Sequence, residues 1–143
     1  MAEVNIRRVL LGGLAGGVVW AGWSTVVNMV ILKEKFVFAQ ANFALLVDSR
    51  IPDAAFITLW IITLFVLSFI GSWLYASVRE TRGAGPGTAL LIGIMLGFAA
   101  GFPVNFSLAT HSTLGRAIPF WWMMDLGLGA IVSTFIAGWL YAD

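Results

Sequence analysis

One carboxylate, Asp125, lies inside an otherwise uncharged apolar stretch of this sequence. A carboxylate at membrane depth is costly, so it faces protein or water and is either paired or protonated. At 1.5 Å per helical residue it lies about 9 Å inside its stretch. Asn28 and Asn105 sit about one turn from the ends of two other apolar stretches, Asn105 just after Pro103, and His111 and Arg116 occupy the next connection. All five belong to one side of a membrane. Two readings follow. In the first, Asp125, Asn28, Asn105, His111 and Arg116 form a polar pocket for a ligand, a proton or a lipid headgroup. In the second, Asp125 caps Asn or backbone groups, or bonds Arg116 at the interface.

Catalytic constellations are nearly absent. Gly22-Trp23-Ser24-Thr25 superficially matches a membrane-embedded Ser nucleophile with His111 as base, but no oxyanion loop accompanies it. Gly83-Ala84-Gly85-Pro86-Gly87 lacks the strand and Lys of a phosphate-binding loop and reads as a turn. With no Cys and a single His, neither a disulfide nor a metal site of usual ligand spacing can form. The chain is read as a non-enzyme that needs no cofactor. The one alternative is His111 as an axial ligand to a chlorophyll or a haem, which takes a single nitrogen. Eight Lys and Arg against seven Asp and Glu leave no basic field for nucleic acid.

The elements that position these groups are set by hydropathy. Of 143 residues 60% are apolar and 10% charged, against roughly 45–50% and 25% in soluble domains, which excludes a water-soluble globule. A spanning helix needs about 20 mainly apolar residues. Residues 9–32, 54–78, 88–110 and 118–141 qualify, and none alternates with the period of a strand. The expectation is an all-α membrane protein of four transmembrane helices in one domain over residues 1–143. Asp53 is expected to cap the second span, and Pro119 to open the fourth. In the long first connection, Phe36, Ala39, Phe43, Leu46 and Val47 recur at helical spacing. A short helix within 36–47 either lies in the headgroup layer or packs over the ends of the spans. The first apolar run has 24 residues, too long for a secretory leader's core of about 7–15, so it reads as an uncleaved span.

The helices need a reason to associate, because lipid tails provide no hydrophobic drive. Gly13, Gly17 and Ala21 form a small-residue ridge on the first span, and Gly93, Gly97 and Gly101 repeat it on the third. The first and third spans are therefore expected to cross through these ridges; a face kept for a second copy or another protein is the rival reading. An internal duplication is also legible. Residues 68–76 match 134–142 with six identities in nine, and Leu10, Leu11, Gly13 and Gly17 meet Leu90, Leu91, Gly93 and Gly97 at an offset of 80. Two tandem hairpins would be parallel repeats. Trp73, Tyr75, Trp121, Trp122, Trp139 and Tyr141 fall at span ends, as interface belts do, while Trp20, Trp23 and Trp60 lie deeper as packing or lipid-facing residues.

Trp73-Leu74-Tyr75-Ala76-Ser77-Val78-Arg79, followed by Gly83-Ala84-Gly85-Pro86-Gly87-Thr88-Ala89-Leu90, resembles a family of small bacterial four-span membrane proteins of unknown function. The stretch from Arg8 to Leu14 and the closing Trp139-Leu140-Tyr141 fit the same family, whereas Glu80, Thr81, Arg82, His111 and Asp125 depart from its pattern. The resemblance implies the four-span fold and no activity. It also implies a multi-pass protein of the bacterial inner membrane. The termini share one side, which compact Arg clusters favour as cytoplasmic, although Lys and Arg divide four against four. Three functions compete. The leading one is an accessory subunit docking on a larger membrane complex of respiratory or photosynthetic type. A small oligomeric transporter or channel using Asp125 and His111 comes next, and a membrane enzyme last.

Overall fold

The computed structural model describes residues 4–42, 52–112 and 114–141. They form five helices: α1 (Ile6–Val26, continued by a π-turn at Val27–Ile31), α2 (Lys33–Asn42), α3 (Asp53–Arg82), α4 (Pro86–His111) and α5 (Ala117–Leu140). Four of them, all but α2, are long and apolar enough to cross a membrane, and no strand occurs among the described residues. The protein is an all-α membrane protein.

Helix ends follow local chemistry, with two corrections. Asn5 caps α1, its side chain accepting from Arg8 N at 3.2 Å. Pro52, not Asp53, is the residue before α3, and Asp53 lies within the first turn, where a carboxylate still complements the helix dipole. Pro119 is the third residue of α5 and not its first. The turn between α3 and α4 runs through Gly83 (φ 88°) and Gly85 (φ 146°), backbone conformations that only glycine adopts without strain.

The expected crossing of the first and third spans does not occur. α1 packs on α3 and α5, α4 packs mainly on α5, and α1 and α4 make no substantial contact. Both ridges are close-packed, but on other partners. A Cβ at Gly13 or Gly17 would strike Phe69 or Phe65 of α3, and one at Gly93 or Gly97 would strike the α5 backbone at Ile131 or Gly127. A Cβ at Gly101 would lie 3.1 Å from Leu126 Cβ, also on α5. The reason is geometric. α1 carries two adjacent glycine rows, and the second, Gly12 and Gly16, faces Ala137 and Ser133 of α5, so α1 fits the cleft between α3 and α5.

The helices matched in sequence, α3 and α5, meet each other instead. Ser68 Oγ donates to Gly13 O at 2.8 Å, so the 2.6 Å bond between Ser68 and Ser133 is donated by Ser133. Ser72 Oγ donates to Val9 O at 2.9 Å, and Thr134 Oγ1 lies 3.0 Å from Ala89 O. Matched tyrosines do matched work. Tyr75 OH accepts from Gly85 N at 3.2 Å, and Tyr141 OH from Asn5 N at 2.8 Å, each before a helix start. Both are buried, so their rings face the bundle and not the surroundings, whereas Trp73 and Trp139 are exposed.

The same bonds bring both described chain ends and the α3–α4 turn to one end of the bundle, where Arg79 Nη1 donates to Tyr141 O at 2.7 Å. Single cysteines in this cysteine-free chain should report that arrangement. A thiol placed at Ala84 is expected to label from one side of the membrane and one at Gly115 from the other. Labelling of both from the same side would mean a different span count.

α2 falls partly within the expected range of 36–47; residues 43–47 lie outside the described ones. Its Ala39 is buried with Val27, Leu32 and Ile118, and the Phe36 ring lies tilted against Trp122, 6.1 Å between centroids. It packs over the ends of α1 and α5, while Val37 stays exposed on its other side.

Candidate functional site

Asp125 lies eight residues into α5, about 12 Å along the helix, and is fully buried against α1 and α3. Its Oδ2 accepts from Ser24 Oγ at 2.6 Å and is approached by Asn28 Nδ2 at 3.4 Å. Ser24 Oγ accepts in turn from Trp60 Nε1 of α3 at 3.0 Å, with Asn28 Nδ2 at 3.3 Å. Asn28 Oδ1 accepts from Trp122 Nε1 at 3.0 Å, and its amide nitrogen also donates to Ser24 O at 2.9 Å. Three spans are thus joined by one network through a carboxyl with no cation partner among the described residues.

The helix geometry that allows this is the π-turn. Leu32 N bonds Val27 O at 2.9 Å, an i→i−5 closure that inserts one extra residue into the turn carrying Asn28. The widened turn lets the Asn28 side chain reach back to Ser24 and across to α5. Polar atoms are not all satisfied there. Asp125 Oδ1, Trp20 Nε1 and Trp23 Nε1 are buried without hydrogen-bond partners. An acceptor or an acid proton on Oδ1 would be equally unpartnered, and such groups in native proteins call for an explanation.

Of the five residues expected in a polar pocket, the structure brings together Asp125 and Asn28 alone. Asn105 is buried but spends its amide on Gly101 O of its own helix at 2.7 Å. His111 is exposed at the end of α4, one ring nitrogen 2.8 Å from Thr110 Oγ1. Arg116 is exposed and does not bond Asp125. The capping alternative describes Asp125 better in that its partners are side chains of its own bundle, although Arg116 is not among them. Ser24, Trp60 and Trp122 are the members that sequence reasoning missed. The available signal was position: Ser24 and Trp60 lie level with Asp125 in adjoining spans, and Trp122 lies one turn before it on the same helix.

The network also bears on nucleophilic chemistry. Ser24 is 3% exposed, and its oxygen already accepts from Trp60 and Asn28 while donating to Asp125. An attacking hydroxyl needs a free lone pair, and both of this one's accept from Trp60 and Asn28. His111 is not among its partners.

Fold and site together define a four-span membrane protein in which a span-buried carboxyl, held by Ser24 and Asn28 of α1, belongs to a network reaching three helices. Compared with known families, with curated proteins and with solved structures, the chain has no match.

Proposed function

We propose that this chain is a non-catalytic, multi-pass protein of a bacterial inner membrane, two fused helical hairpins serving as an accessory subunit beside a larger membrane assembly of respiratory or photosynthetic type. The observation that carries the reading is the contrast between inside and outside. The polar side chains of Asp125, Ser24, Asn28, Trp60, Ser68, Ser72 and Ser133 are spent on bonds within the bundle. The outer face of α4 instead presents Phe98, Phe102 and Phe106 as an exposed ladder, stacked at 4.8 and 5.3 Å between ring centroids. Van der Waals packing drives association between spans in lipid, and a stacked aromatic ridge is suited to a neighbouring helix.

A second reading, transport by a homo-oligomer, is favoured by one feature. Along the seam of α1, α3 and α5, polar groups follow each other from Asp125 and Ser24, through Ser68 and Ser133, to Ser72 and Tyr141. The line is broken only at the level of Trp20, Leu64 and Ala130. His111 stands apart from it. One experiment separates the two. Gentle extraction from native membranes followed by mass measurement should find the chain in a stoichiometric larger complex, released when Phe98 and Phe102 are replaced by Ala. A free oligomer that conducts protons in liposomes, and stops when Asp125 becomes Asn, would replace the accessory reading with transport.

A further inference from the structure

We infer that the groove between α2 and the α4–α5 turn binds the phosphate of an anionic phospholipid headgroup, with Lys35 and Arg116 as its cations. The groove is shallow and open on one side, with room for about 530 Å³, and lies at the end of the bundle opposite the described termini. It is lined by Glu34, Lys35 and Phe38 on α2 and by Leu114, Arg116 and Ile118 across from them. The two cations come from separate elements, both are exposed, and neither forms an ion pair with a described residue. Glu34 offsets one of them, which leaves a single positive surplus facing the groove.

The arrangement is amphipathic in the way a lipid is. Ile118 is buried below, and Phe38 and Leu114 provide apolar wall, so acyl chains can continue from a headgroup held above them. Gly115 contributes to the lining at φ 73° with no side chain, so the headgroup can approach the turn's backbone. Basic pockets between spans at headgroup level are suited to anionic lipid phosphates. A soluble anion would use the cations and leave the apolar wall uncovered.

Native mass spectrometry of the full chain, released from mixed phosphatidylglycerol and phosphatidylcholine micelles, tests this. Phosphatidylglycerol is expected to be retained over phosphatidylcholine by about fivefold, as a single positive surplus facing one anion would give. The double variant Lys35→Gln, Arg116→Gln should lose that preference. The charge-keeping pair Lys35→Arg, Arg116→Lys should hold it, and so should Arg7→Gln, Arg82→Gln at the other end of the bundle. An unchanged preference in the first variant would overturn the assignment. So would displacement of phosphatidylglycerol by inorganic phosphate at equal concentration, which would identify a soluble-anion site.

Discussion

Replacing Asp125 with Leu is expected to lower the melting temperature in detergent by about 5–10 °C, while Asn at the same place costs much less. Leu removes the acceptor for the Ser24 hydroxyl, which sits 2.6 Å from Oδ2, and strands a donor in a buried junction of helices. Ser24 is also the acceptor for Trp60, so its reorientation would disturb α3 as well. A buried donor left without a partner costs about 1–3 kcal/mol, and the disturbance of a second bond places the total near the upper part of that range. For a chain of this size each kcal/mol moves the midpoint by roughly 2–8 °C. Asn keeps an oxygen for Ser24 and puts its amide where Oδ1 already lacks a partner, so the number of bonds is unchanged. Equal melting of the Leu and Asn variants would show that the carboxyl does not tie the helices together.

The second large effect is steric. Gly93→Leu should prevent α4 from docking on α5. A Cβ at this position would lie 2.6 Å from Ile131 Cα and 3.2 Å from Ala130 O. Backbone atoms cannot rotate aside as a side chain can, so the helices must separate, taking Thr134 from Ala89 O. Overpacking of well-packed sites typically costs about 1–3 kcal/mol, and a Leu wedged against backbone belongs at or beyond that limit. Gly22→Leu supplies the control. Nothing lies within 4 Å of its added Cβ, and it should melt within about 1 °C of the parent. Size-exclusion profiles and thermal melts of the two purified variants make the comparison, and indistinguishable melts would refute the packing described for α4.

How much of this was legible in the sequence depended on what each signal encodes. Span number and approximate limits follow from apolar length, because each crossing must satisfy its own backbone bonds within about 30 Å of hydrocarbon. Partner choice does not follow from it. A row such as Gly93, Gly97 and Gly101 states that one helix face is approached closely, and says nothing of which helix approaches. On α1 the double rows Gly12/Gly16 and Gly13/Gly17 serve two partners, and reading only one row led to the wrong crossing. Asp125 and Asn28 stood out because a carboxylate and an amide are rare at that depth. Ser24, Trp60 and Trp122 did not, since Ser and Trp are ordinary in spans and at their ends, and their roles depend on how the π-turn rotates the close of α1. Tyr75 and Tyr141 looked like interface anchors for the same reason, although their hydroxyls are committed to Gly85 and Asn5.

The dominance of α5 has a consequence for how the protein is made. It supplies the principal neighbour of α4, one wall of the cleft that holds α1, and the carboxyl that joins Ser24 to the rest. Of the four described spans it is also the last to be made. Until then Gly93 and Gly97 lack the helix they pack on, and the Ser24 hydroxyl, although already within reach of Trp60, lacks its acceptor. The docking of α4 and the closing of the α1 cleft are therefore postponed until α5 has been made, and a nascent chain stalled before Ala117 would leave these glycine faces uncovered.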